Sequence, residues 1–365
     1  MQDIRVRSPF IVRNTLTNFP FDTSTFEIRA WTGGLTADYP VSPTYTKTKQ
    51  KINSLQTQVY VNASNLLKED LEANPTLYVA PGSTVAAQTY FIGDKESKFC
   101  EIKQTWTNGA TGSTGATQTD SFFILDGWID STESQGDVDV LLSSDSNHIY
   151  RQFATGATSR IHFKKDNLSS ISVTDSYGTS TISLTGSSTI SNQYIQSIVT
   201  PTTEPSSLIT FTYSSPTRSY YVHVNCTDNC IYDNWNVIFK NKFGVLETIS
   251  FNKKHSSSIS ITNQDYKRSL VDYNGDFDNT LHISKQFNVV GLEEVTLNTD
   301  YLPEYMNQTI KELLLSEQIW AYVKGILIPL TLSDKSWTKK TRLNDKLIQY
   351  TMKFKYSQES INNII

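Results

Sequence analysis

The sequence predicts a mainly β protein, two β-sandwich-like domains followed by a C-terminal α+β domain with one amphipathic helix. Three observations predict it. Short stretches rich in Thr, Tyr, Phe, Val and Ile alternate apolar with polar residues, as antiparallel sheets with one solvated face do. Gly, Asn, Asp, Ser and Pro separate those stretches at the spacing of sandwich strands. The three-and-four-residue periodicity of a helix is clearest in one place, after Pro303.

In order along the chain, the first strands are Thr25–Trp31, Gln58–Val61, Leu77–Ala80, Lys98–Ile102 and Ser121–Leu125. Between the last two, Asn108 to Gln118 (NGATGSTGATQ) has no large apolar side chain to anchor it, which predicts a mobile loop. Its glycines match neither GxxxxGK[ST] nor GxGxxG, so it is no phosphate cradle. The acidic, polar run from Ser131 to Asn147 predicts a boundary, giving an N-terminal domain over 1–145. A Ser/Thr-rich β domain or insertion follows over 146–224, with strands such as Ile161–Phe163, Ile195–Val199 and Leu208–Tyr213. The third region, 225–365, carries the helix. Pro303 opens it, and Leu302, Met306, Ile310, Leu313 and Leu314 line one face to about Ile319. Trp320–Val323, Ile326–Leu330 and Leu347–Phe354 read as closing strands, with Lys324-Gly325 as a hairpin turn.

Composition excludes several classes of function. With 365 residues, 38% hydrophobic, 12% aromatic and 19% charged, the chain has enough apolar material for real cores and is not disordered. A net charge of −4 leaves no basic footprint for a phosphate backbone, so no sequence-specific nucleic acid is expected as partner. No apolar run approaches the ~20 residues of a spanning helix. No membrane partner is expected, and the opening MQDIRVRSPF does not read as a signal peptide. Three cysteines, Cys100, Cys226 and Cys230, cannot build a disulfide framework and suit synthesis in a reducing compartment.

The residues that carry chemistry elsewhere form weak patterns here. There is no GxSxG elbow, and His148, His162, His223, His255 and His282 are scattered singly. His223, Cys226 and Cys230 (HVNCTDNC) are the grouping with zinc-like chemistry, short of the four ligands of a structural site; the alternative is a plain loop, bridged or not. Asp272, Asn274, Asp276 and Asp278 (DYNGDFDN) resemble a calcium loop, but glycine stands at the fourth place and Ile283 at the twelfth, where a bidentate Glu belongs. The acidic group Asp126, Asp130, Glu133, Asp137 and Asp139 offers carboxylates to a glycosidase, yet its spacing selects no pair. The reading is of no catalytic residue, no cofactor and no metal.

Several local patterns resemble tail-region virion proteins of podovirus-like phages infecting Bacteroidetes, the crAss-like group above all. They are Arg5-Val6-Arg7-Ser8-Pro9-Phe10, Ile28-Arg29-Ala30-Trp31-Thr32-Gly33, Pro43-Thr44-Tyr45 and the stretch from Val59 to Asp70. Further on come Trp235 to Gly244, Thr248-Ile249-Ser250-Phe251, Tyr266-Lys267-Arg268, Ile310 to Glu317, Ile328-Pro329-Leu330, Asp334-Lys335-Ser336 and Asn344 to Leu347. They cover both ends of the chain and leave about 145–220 unmatched. The resemblance implies a virion structural protein of the tail or neck, a homo-oligomeric ring between portal and tail tip. Its partners would be itself and neighbouring tail or neck proteins, such as the portal or tail hub. The expected contact surfaces are the segment Trp235–Phe251 and the helix Pro303–Ile319. A neighbour would bury Trp235, Phe239, Phe243, Phe251, Met306, Ile310 and Leu314; alternatively the helix caps its own domain. Two other functions stand beside this one: a tail adhesin stacking exposed aromatics on host glycans, and a tail-associated hydrolase of capsule or peptidoglycan using Asp137 and Asp139.

Overall fold

The computed structural model describes residues 2–15, 21–32, 38–53, 55–69, 71, 88–91, 97–135, 148–153, 158–164, 168–175, 178–183, 195–201, 206–213, 218–226, 231–271, 273–276, 280–334, 336–341 and 347–361. Of most residues in 88–91 and 148–226 it is the backbone that is described. The protein is mainly β with a small helical part. Packing divides it into two units, neither of them one continuous run of chain. Unit 1 takes Met1–Asp228, Phe239–Thr248 and Gln308–Leu313; unit 2 takes Asn229–Ile238, Ile249–Asn307 and Leu314–Ile365.

Unit 1 opens with β1 (Gln2–Arg5), β2 (Ile11–Thr15), β3 (Thr23–Trp31), β4 (Tyr45–Gln50), β5 (Gln58–Asn62), α1 (Ser64–Lys68), β6 (Gln88–Phe91), β7 (Ser97–Thr107) and β8 (Thr114–Leu125). A five-stranded sheet runs β1-β8-β7-β3-β4, with β1 parallel to β8 and the rest antiparallel; β2 and β5 form a separate ribbon. Alternation dictates the packing, because successive side chains of a strand point to opposite faces. Phe26, Ile28, Ile102, Phe122 and Ile124 leave one face of the sheet and meet Val12, Val59 and Val61 of the ribbon and Leu67 of α1 in one buried cluster. Each such side chain contributes roughly 1.5–3 kcal/mol on burial. The other face carries Trp31, Phe99, Phe123 and Leu125, covered by Phe243 and Val245. Coverage on both sides explains why β8 ends in four consecutive buried residues.

The region Asn108 to Gln118 is a tight turn followed by strand, not a loop throughout. Asn108 Oδ1 accepts from the N–H groups of Ala110 and Thr111, Gly112 takes φ +69°, and β8 begins at Thr114. Threonines at 114, 117 and 119 suffice for an exposed strand paired with β7, so an apolar anchor is not required. The remaining strands of unit 1 are β9 (His148–Phe153), β10 (Thr158–Lys164), β11 (Leu168–Asp175), β12 (Gly178–Ser183), β13 (Ile195–Pro201), β14 (Ser206–Tyr213) and β15 (Arg218–Cys226). They form the sheets β10-β13-β6 and β12-β11-β14-β15-β9. The expected strand Leu77–Ala80 lies outside the described residues.

The rest of the chain supplies β16 (Trp235–Lys240), β17 (Leu246–Phe251), β18 (Ser256–Lys267), β19 (Ser284–Asn298), β20 (Leu302–Pro303), a 3-10 turn (Glu304–Met306), α2 (Asn307–Leu315), β21 (Ile319–Val323), β22 (Ile326–Leu332), β23 (Leu347–Ile348), β24 (Thr351–Tyr356) and β25 (Ser360–Ile361). One sheet runs β17-β16-β21-β22-β24-β19-β18, with β25 added to β19. Helix α2 is shorter than its pattern suggests. It ends at Leu315 because Ile319, Ala321 and Val323 are buried at a period of two, and sheet pairing with β22 takes them. Lys324 (φ 50°) and Gly325 (φ 83°) make the β21–β22 turn, both central residues being left-handed as a two-residue hairpin turn requires. In unit 2, the Tyr350 hydroxyl donates to Asn307 Oδ1, and Phe251 and Phe354 pack edge to face at 5.9 Å.

The outer part of the β18–β19 hairpin stands apart in character. Every residue of β18 is exposed except Asn263, which is half-buried, so both of its faces are wet. Between Thr262↔Val290 and Gln264↔Phe287 the register slips by one residue, with Asn288 at φ 51°, a bulge on β19.

Candidate functional site

Opposite charges converge within unit 1. The first contributors are the end of β1 and the residues after it, Arg5 and Arg7. The second is the segment after β8, Asp126 to Glu133. The third is the end of β16, the turn after it and the start of β17, with Lys240, Asn241, Lys242 and Glu247, and the fourth is α2, with Lys311 and Glu312. Two glycines make the meeting of backbones feasible. A Cβ on Gly127 would sit 2.2 Å from the Lys242 carbonyl oxygen, and one on Gly244, itself at φ +84°, would sit 2.6 Å from Asp126 backbone. Trp128 N–H donates to that same Lys242 carbonyl at 2.8 Å, and Arg7 N–H to the Gly127 carbonyl at 2.8 Å.

The side chains then pair. Asp126, 1% exposed, accepts Arg7 through both oxygens at 2.8 and 3.0 Å, and Lys240 Nζ lies 2.5 Å from its Oδ2. Glu133 takes Arg5 Nη1 at 2.6 Å on one oxygen and Lys242 Nζ at 2.7 Å on the other. The fully buried Arg5 also donates to the carbonyls of Trp128 and Ser134 and lies over the Phe243 ring. Lys311 donates to Asp130 at 2.5 Å and lies over the Trp128 ring. Asn241 closes the turn: its Oδ1 accepts from Phe243 and Val245 N–H, and its Nδ2 donates to Glu247. Glu312 accepts from the Lys242 backbone N–H at 3.1 Å and from Gln308 Nε2 at 3.0 Å. Asp126 with Lys240 and Arg7 is the buried member of this network, and stripping Asp126 of both cations would strand a buried charge, at about 3–5 kcal/mol.

The electrostatics separate the carboxylates. The hydrogen bond from Lys311, helped by Ser131 N–H, holds Asp130 below its ordinary value. Burial pushes Glu133 up, but the hydrogen bonds and charges of Lys242 and Arg5 outweigh it and leave the carboxyl lowered. Glu312 goes the other way: burial, then the charge of Glu247, push it up to about 8, against the Lys242 N–H, the Lys242 charge and Gln308. A raised acid beside a lowered carboxylate is a pattern of catalytic sites. A catalytic acid must touch its substrate, however, and Glu312 is 0% exposed. The arrangement clamps chain segments together.

The structure thus brings together Asp126, Asp130 and Glu133 of the acidic group and gives each a cation; Asp137 and Asp139 lie outside the described residues. The proposed calcium ligands Asp272 and Asp278 and the proposed zinc ligand Cys230 lie outside them too, and no group of three or more metal-binding side chains occurs among the described residues. The third cysteine, Cys100, is buried and its thiol is pushed up by burial.

The residues expected to meet a neighbour are placed inward. Trp235, Phe239, Phe243, Phe251, Met306 and Ile310 are all buried within the chain, and Leu314 is half-buried. The reason is that β17 is covered on both faces along its whole length, so the segment Trp235–Phe251 keeps no spare apolar face. What sequence reasoning missed are the cations Arg5, Arg7, Lys240, Lys242 and Lys311. The signal was present as lysines and asparagine set inside an apolar run (VIFKNKFGVL).

No family model matches the chain, and no curated protein does. Among solved structures, it is similar to SGBP-B of the Bacteroides ovatus mixed-linkage glucan utilization locus, determined with a mixed-linkage heptasaccharide. The correspondence is 9% identity over 97% of this chain and 94% of that one, at a TM-score of 0.19, below that of a shared fold.

Proposed function

We propose that the protein is a non-enzymatic structural component of a bacteriophage tail or neck, which assembles as a homo-oligomeric ring between portal and tail tip. The observation that supports an assembly role is the β18–β19 hairpin. Eight of the nineteen exposed large apolar residues among those described fall between Ile259 and Phe287. Apolar surface concentrated in this way marks a face that another protein covers. A two-stranded ribbon wet on both faces is also marginally stable alone, and gains from being covered. The order of quoted sequence patterns supports the placement in a phage tail.

Native mass spectrometry and negative-stain imaging of the purified chain test this reading. Closed rings of one stoichiometry are expected. A protein that stays monomeric at every accessible concentration, with no contact burying more than about 1,000 Å², overturns it.

A further inference from the structure

We infer that β18 is an unfinished sheet edge that is completed by β18 of a second copy, antiparallel about a two-fold axis passing through Ser260. Among the described residues β18 is the last strand of its sheet, so half of its backbone N–H and C=O groups face outward along twelve residues. Open edges are ordinarily blunted. Strand β4, the last of the five-stranded sheet, shows how: exposed Lys47 and Lys49 sit opposite Phe26 and Ser24, on the core-facing side of that sheet, where an added strand would have to bury them. From Ser256 to Gln264 (SSSISITNQ) β18 carries no charge and no proline.

The occupant follows from self-complementarity. Over these nine residues two identical edges approach without charge repulsion. Antiparallel pairing centred on Ser260 sets Ile259 beside Ile261 of the second copy, and Ile261 beside its Ile259. Both isoleucines share the sheet face of Val295, since Ile259 pairs with Glu293 and Ile261 with Gly291. They are 54% and 61% exposed in the single chain, whereas Val295 is 0% exposed. Pairing therefore joins four isoleucines into one apolar cluster beside Gly291, with exposed Glu293 at its margin. Gly291 contributes, because a Cβ there would meet Ile259 Cδ1 at 2.9 Å, so its absence lets Ile259 lie flat across β19. A two-fold contact closes on itself. The inference rests on the assembly reading of the hairpin and not on the ring.

The test uses the full chain in two forms of readout. Under mild oxidation Ser260→Cys should yield a covalent dimer at least about tenfold faster than Ser257→Cys, because only the residue on the axis meets its own copy; Ser257 would face Asn263. Ile259→Lys, with its fold checked by circular dichroism, should raise the dimer dissociation constant at least about tenfold by burying a charge in the isoleucine cluster. Equal crosslinking at the two cysteines, or an unchanged dissociation constant in folded Ile259→Lys, overturns the proposal; if that variant fails to fold, the cysteine pair decides. Rings formed by a chain whose Ser260→Cys and Ser257→Cys variants crosslink equally overturn the strand contact and leave the ring reading intact. A dimer that Ile259→Lys abolishes, in a protein that makes no ring, does the reverse.

Discussion

Glu312 is the residue whose chemistry is most altered by where it sits. It is fully buried on α2, and its carboxyl is raised from 4.5 to about 8 by burial and by Glu247. In that interval the folded chain keeps a proton that the unfolded chain has released, so this residue's contribution to stability is full below 4.5, falls as pH rises, and is gone above about 8. Its size is on the order of a few kcal/mol. Urea unfolding midpoints measured from pH 5 to 8.5 should therefore decline in the parent protein. In Glu312→Gln, which retains an acceptor oxygen for the Lys242 N–H and cannot ionise, the decline should be largely absent. An identical slope in both proteins would place the raised proton elsewhere. Asp130 and Glu133, being lowered, act in the opposite sense, with stability lost as pH falls through the acid range.

At the scale of elements, the turn between β16 and β17 does the most with the fewest residues. Its backbone is pinned to the segment after β8, its Phe243 and Val245 cover one face of the five-stranded sheet, and its two lysines neutralise Asp126 and Glu133. All of this needs Gly127, since any side chain there meets the Lys242 carbonyl at 2.2 Å, which is backbone and cannot rotate away. Gly127→Ala should destabilise unit 1 by roughly 3 kcal/mol or more in thermal or urea unfolding, while Gly275→Ala, where a Cβ meets nothing within 4 Å but φ is +85°, should cost only about 1 kcal/mol. Similar losses from both would mean that the close approach is relaxed in solution. The contrast between β4 and β18 belongs to this scale as well. Both are outermost strands, and the identity of a few side chains separates a protected edge from an open one.

For the whole molecule, the consequence is that unit 1 cannot be cut out as a run of sequence. Residues 1–228 carry the five-stranded sheet but lack Phe239–Thr248 and Gln308–Leu313. A fragment 1–228 would expose Phe99, Phe123 and Leu125 and leave Asp126 without Lys240 and Glu133 without Lys242. It should aggregate or melt well below unit 1 in the full chain, and a fragment as stable as the parent would show that the inserted pieces add nothing. Much of the rest was legible beforehand. Alternation read out β3, β7 and β8, since period two needs only neighbours along the strand, and Lys324-Gly325 announced its turn by standing as a two-residue, glycine-bearing break between two apolar stretches. Thr114 to Gln118 was not legible, because an exposed strand has no buried member to mark it, and neither was the end of α2, where helix periodicity yields to sheet pairing at Ile319. The sequence by itself determined a mainly β chain with one amphipathic helix, because hydrophobic period is a local property. Only the tertiary structure decided that the apolar run around Phe239 and Phe243 faces inward, that five cations sit upon the acidic segment, and that the outer edge of β18 has no strand beside it among the described residues. Burial and charge pairing depend on residues more than a hundred positions apart, and no window of sequence contains both partners.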